Sequence, residues 1–152
     1  MSDSDAAAWP LRNLVVDCTD PRAMAEFYRA LLRWEYLPGH ETDDPDGDDW
    51  LVLEAPGGLR LAFARVPELT PSSWPHPAQP ARVHLDFPVA DLDAAHERAV
   101  AAGARPLTGP PDQASDDPFR VYADPAGHPF CLCLERRSAG ASRAAPASSA
   151  RA

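Results

Sequence analysis

The sequence predicts an α+β chain built from two copies of one unit, strand–helix–strand–strand–strand. Three observations predict it. Residues 12–20 (RNLVVDCTD) and 83–91 (VHLDFPVAD) are short apolar runs, each ending on an aspartate that opens a helix-like segment. Residues 50–62 align in the same way with 119–131. A Pro-rich stretch, 67–80, separates the two copies. Within the alignment Asn13 pairs with His84, Asp20 with Asp91 and Ala62 with Cys131. Self-similarity at a fixed spacing marks a repeated supersecondary unit.

Each element follows in order. Leu14 to Cys18 reads as a buried strand. Asp20-Pro21 starts a helix, with aspartate as N-cap and proline at the first helical position. Met24, Phe27, Leu31 and Leu32 share one face at helical spacing. A strand begins near Trp34 to Leu37. Residues 40–49 are acidic, but their glycine falls outside the calcium-loop position and no glutamate closes them, so a solvated hairpin tip is expected. Strands at 50–53 and 60–66 are joined by Pro56-Gly57-Gly58, a turn with glycines available for positive φ.

The second copy repeats this order. A strand before Asp91 is followed by a helix over 91–102, stopped by Gly103. A short strand near 105–107, a strand at 119–123, the turn Asp124-Pro125-Ala126-Gly127 and a strand at 130–134 complete it. The modules therefore span 11–66 and 81–136, with a flexible leader over 1–10, the Pro-rich linker at 67–80 and a disordered Ala/Ser/Arg/Pro tail over 137–152. Two small sheets, each covered on one face by its helix, leave an open concave face as a cleft.

Composition narrows the function. A chain of 152 residues with net charge −9 lacks the basic face that nucleic acid requires. All fourteen basic residues are arginine, which reflects a GC-rich coding bias. No stretch is long and apolar enough to span a membrane, and the N-terminus lacks a secretion signal. Three cysteines make no disulfide framework, so reduced thiols and a cytoplasmic location are expected.

The strand-then-aspartate helix entry, the Phe27-Tyr28, Leu31-Leu32 and Trp34 pattern, and the Asp124-Pro125-x-Gly127 turn before the last strand resemble the vicinal oxygen chelate superfamily, the glyoxalase/bleomycin-resistance/dioxygenase group. The likeness covers roughly residues 11 to 136. It implies two βαβββ modules forming a U-shaped cleft, the glyoxalase/bleomycin resistance fold. Metal-using relatives draw ligands from the first and last strands of each module, which correspond to Asn13, Ala62 (or Ala64), His84 and Cys131. It also implies a homodimer. It is less specific for activity, because one fold hosts many chemistries.

Strand alternation sorts the side chains. Asn13, Val15 and Asp17 face inward, as do His84, Asp86 and Pro88, Cys131 and Cys133, and Arg60, Ala62 and Ala64. Ala62 offers no metal donor and Asn13 only an amide oxygen, so His84, Cys131 and Asn13 form an incomplete set for zinc, nickel, manganese or iron. Asp86 or Asp17 would complete it only if the sheet curls toward the ion. Asp17, Asp86 and His84 are candidate general acids or bases, because a carboxylate facing an apolar cleft holds its proton more tightly. The alternative for the aspartates is capping backbone groups or pairing with Arg60 or Arg120. Trp50, Arg60, Arg120 and Tyr122, with Phe119 and Trp74, are candidates for the wall of a ligand pocket. The other histidines, His40, His76, His96 and His128, are expected to face solvent. Two readings follow: a glyoxalase-like protein binding a small organic molecule without a complete metal site, or a metal-dependent lyase, isomerase or dioxygenase. A metal-free enzyme using His84 or Asp86 is a third.

Overall fold

The structure, a computed structural model, describes residues 8–41 and 48–135. The start of the leader, the centre of the acidic loop and the C-terminal tail lie outside the described residues. Contacts divide the chain between Glu68 and Leu69 into two compact units.

The first unit holds β1 (Leu14–Cys18), α1 (Pro21–Leu32), β2 (Glu35–Tyr36), β3 (Trp50–Glu54) and β4 (Arg60–Arg65). The second holds β5 (Leu85–Val89), α2 (Leu92–Ala102), β6 (Arg105–Pro106), β7 (Phe119–Ala123) and β8 (Pro129–Leu134). The sheet orders are β1-β4-β3-β2 and β5-β8-β7-β6. In each unit the first and last strands pair in parallel and the remaining pairs are antiparallel. The parallel pair needs a crossover, which the helix and two strands between them supply. The predicted α+β class and duplicated βαβββ order are what forms.

Registers agree with the internal alignment. Val15 lies opposite Ala62 in the first sheet. Asp86 lies opposite Cys131 in the second. These are the same two positions of the repeat.

Both helices start as their sequences require. The Asp20 carboxylate accepts from the Ala23 N–H at 3.0 Å, with Pro21 opening α1. The Asp91 carboxylate accepts from Asp93 and Ala94 N–H. α2 ends on Gly103 with φ of 111°, a left-handed conformation that glycine adopts without a Cβ clash. α1 ends instead on Arg33 in the same region. β2 is two residues long, and just beyond it the Leu37 N–H donates to the Val52 carbonyl at 2.9 Å.

α1 buries Met24, Ala25, Phe27, Tyr28 and Leu31. Leu32, expected on that face, is only half-buried, and Tyr28 takes its place. The Tyr28 ring stacks on Phe63 of β4 at 5.6 Å. Burying each such side chain contributes roughly 1.5–3 kcal/mol.

Tyr36 ties β2 to α1, its hydroxyl donating to Glu26 at 2.6 Å. The guanidinium groups of Arg22 and Arg29 lie over its ring at 5.2 and 5.6 Å. Burial and the Glu26 carboxylate, opposed by Arg22, push its hydroxyl from 10.0 up to about 12. A folded value above the unfolded one means stability is full below pH 10 and is lost as pH rises towards about 12. Urea midpoints of wild type should therefore fall across that window. Tyr36→Phe, which cannot ionise, should show a shallower fall; equal slopes would reject the assignment.

At the ends of the acidic loop, Asp48 pairs with Arg22 at 2.7 Å and Asp49 with Arg65 at 2.6 Å. These two carboxylates are engaged by arginine. Residues 42–47 of that loop lie outside the described residues.

Candidate functional site

In the second unit β5 presents its residues alternately to the two faces of its sheet. Leu85, Phe87 and Val89 lie on the α2 side, where Phe87 packs edge-on against Phe130. His84 and Asp86 lie on the opposite face. His84 Nε2 is 3.3 Å from an Asp86 carboxylate oxygen, with the side chains 29% and 46% exposed. Cys131, next to Asp86 across the parallel pair, is fully buried. One potential ligand atom from each of His84, Asp86 and Cys131 lies within 4.8 Å of the others.

Beneath this trio is an apolar floor. Val121, Cys131 and Cys133 form a buried cluster, with Trp74, Leu107 and Phe119 packed against it. Register explains the grouping: Val121 pairs with Cys131 and Phe119 with Cys133, so all four side chains share one face. The Trp74 indole stacks on the His84 imidazole, centroids 4.6 Å apart and planes 16° from parallel.

Burial pushes the Cys131 thiol far above the ordinary thiol range, with the Asp86 charge, Cys133 and a hydrogen bond to Asp86 adding to the effect. Cys131 is accordingly a protonated thiol at neutral pH and a poor nucleophile.

Arg120 and Tyr122 lie on the other face of the sheet from His84. The Tyr122 ring is fully buried and stacks on Phe130 at 5.4 Å. Its hydroxyl is 3.0 Å from His96 Nδ1 of α2. Arg120 donates to the Thr108 carbonyl and lies over the Tyr122 ring. The two therefore do not line one wall with His84. His96 also departs from its solvent-facing expectation. Its spacing from Leu92 and Ala99, one helical turn each way, was the available signal.

The first unit repeats the geometry with different chemistry. Asn13, Val15 and Ala62 occupy the places of His84, Asp86 and Cys131. Val15 is exposed and Ala62 buried, and neither offers a donor. Asn13 Oδ1 is buried without a hydrogen-bond partner among the described residues. Asp17, Ala64 and Trp50 form one cross-strand row on this face. Arg60 is held by Glu54 at 2.7 Å.

The donor set can be tested against a metal directly. His84, Asp86 and Cys131 supply three donors of the types zinc accepts, the number that open zinc sites take from protein. Asp86, expected to join the set only if the sheet curls, stands beside His84 as the next residue on the same face, its carboxylate oxygen 3.3 Å from His84 Nε2. The set fits an ion in number and type, provided that the ion displaces the Cys131 proton.

The duplicated βαβββ sheets, with candidate donors on the first and last strands, define a protein of the glyoxalase/bleomycin-resistance class. Residues 13–133 match the model of the glyoxalase-like domain family, and the chain belongs to that family. A curated relative, the anthracycline biosynthesis protein DnrV of Streptomyces peucetius, is 29% identical over 119 residues. That match covers 74% of this chain but 42% of the relative, so the chain spans less than half of that protein's length. Among solved structures, a glyoxalase/dioxygenase from Nostoc punctiforme superposes with a TM-score of 0.65 at 18% identity, covering 84% of this chain and 92% of that one. The fosfomycin resistance protein FosX from Mesorhizobium loti gives 0.58 at 14% identity, covering 86% and 96%. At such identities these likenesses show the fold. Among the described residues no helix is long and apolar enough to cross a membrane.

Proposed function

We propose that this protein binds a small organic molecule on the His84-bearing face of its second unit and does so without a resident metal ion. The observation that carries the reading is the composition of that face. A buried apolar floor of Val121, Cys131 and Cys133 is bordered by one polar pair, His84 and Asp86. Small-molecule sites combine an apolar lining with a few convergent polar groups. The floor would bury ligand carbon, while His84 and Asp86 would orient a polar edge by hydrogen bonding. The curated relative is described as an anthracycline biosynthesis protein, which agrees with an organic ligand.

The cluster of three donors favours a second reading, a metal-dependent lyase, isomerase or dioxygenase of the glyoxalase type. There His84, Asp86 and Cys131 would hold a divalent ion, which when bound would polarise a substrate oxygen. Asp86 would then be committed to the ion rather than free to move a proton.

Thermal-shift screening of a small-molecule panel, with and without a chelator, separates the two. A ligand at about 100 times its Kd adds roughly 2.7 kcal/mol of stability. The first reading expects hits that survive chelator and disappear in His84→Ala and Asp86→Asn. Hits or turnover abolished by chelator and restored by zinc would establish the second instead. Hits indifferent to both substitutions would reject the site.

A further inference from the structure

The segment between the two sequence copies is folded onto the second unit. Residues from Leu69 onward belong to that unit. The Ser73 N–H donates to the Gln79 carbonyl at 2.9 Å, and the Ser72 hydroxyl donates to the same carbonyl at 2.9 Å. The Gln79 N–H donates back to the Ser73 hydroxyl at 2.7 Å. These bonds close a loop whose side chain toward the sheet is Trp74, stacked on His84 and packed on the Val121 cluster.

The foot of the loop is seated with equal specificity. A Cβ at position 127 would meet the Pro71 Cβ at 2.5 Å, closer than real side chains approach. Gly127 also has φ of +88°, which L side chains rarely adopt. Position 127 thus demands glycine both for its turn and for Pro71. The loop bonds to itself, and packing fastens it to the sheet: Pro71 on Gly127 and Trp74 on His84.

We propose that Trp74 is a built-in occupant of an aromatic slot on His84, and that the ligand is a planar aromatic molecule whose ring replaces the indole. The inference deepens the preceding reading and rests on it for the ligand. The slot is defined by what fills it. A near-parallel indole 4.6 Å from the imidazole takes the space in which a flat ring would stack on that face. Trp74 is only half-buried, so its departure costs less core packing than the loss of a floor residue would. A ligand ring entering there regains the stacking and apolar contact that the indole gives up. The loop then acts as a competitor that rejects molecules unable to stack.

The test uses the full chain and needs no natural ligand. Diethyl pyrocarbonate acylates accessible imidazole nitrogen, and peptide mass spectrometry reads the rate at His84 separately, with His40 as internal control. Aromatic pairing of this kind shifts an open–closed equilibrium by about twofold to tenfold. Trp74→Ala should raise the His84 rate by that factor, whereas Trp74→Phe, which keeps a ring in the slot, should stay near wild type. Free indole should restore protection in Trp74→Ala, and wild type should need more indole for any added protection. An unchanged rate in Trp74→Ala, or no protection by indole, would overturn the proposal. Indole rescue without any panel ligand for wild type would keep the slot and reject the functional reading. Panel ligands lost in His84→Ala, without indole rescue, would do the reverse.

Discussion

Phe130→Ala is expected to cost the second unit about 3–5 kcal/mol, the range for deleting a buried phenylalanine. Phe130 is fully buried at the start of β8. On one side it stacks on Tyr122 at 5.4 Å, and on another Phe87 meets it edge-on at 6.1 Å. All three rings lie on the α2 face, so truncation leaves a cavity between helix and sheet that β5 and β7 cannot both close. The Tyr122 hydroxyl would keep His96, but its ring would lose its stacking partner. Chemical denaturation monitored by circular dichroism checks this. The expected result is a lower midpoint with an unchanged slope. A loss below about 1 kcal/mol would mean that the face repacks around the gap.

The same face shows which parts of the molecule are legible in sequence. Local chemistry wrote the helix starts: Asp20 and Asp91 each have a short oxygen that reaches the free N–H groups of a first turn. Duplication made legible that Val15 is equivalent to Asp86 and Ala62 to Cys131, but not the parallel pairing that sets Val15 beside Ala62 and Asp86 beside Cys131. Alignment and strand alternation put His84, Asp86 and Cys131 on one face, but the donor set they name is His84, Cys131 and Asn13, with Asp86 joining only if the sheet curls; the structure groups Asp86 with His84 and Cys131. What failed was information held between distant strands. Tyr122 and Arg120 carry side chains suited to a pocket, but the face they take depends on the antiparallel register that places Val121 beside Cys131. Neither strand alone encodes that register. The loop bearing Trp74 was harder still. Its prolines remove periodicity, and its seat is a missing side chain at Gly127, more than fifty residues downstream in a chain of 152. An absent Cβ leaves no signal except the glycine itself, which the turn already explains.

Asp124→Ala is expected to cost about 3 kcal/mol and, unlike Phe130→Ala, to expose His84. Asp124 is 4% exposed. One carboxylate oxygen accepts from the Ala126 N–H at 3.0 Å and the His128 N–H at 2.9 Å. Its backbone closes the same turn, accepting from Gly127 and donating to the His128 carbonyl. Hydrogen bonds to a charged acceptor contribute about 1.5–3 kcal/mol each, and alanine leaves both donors without their acceptor. The turn they hold is the one that carries Gly127 beneath Pro71. Loosening it removes the loop's seat, and with it part of what keeps Trp74 on His84. Thermal denaturation should show the stability loss, and His84 acylation at a temperature where the variant is folded should show a rise like that of Trp74→Ala. Asp124→Asn keeps an acceptor oxygen and should recover most of both. If Asp124→Ala were destabilised while His84 stayed protected, the turn would serve the sheet alone, and Trp74 would be held by its stacking without help from the seat.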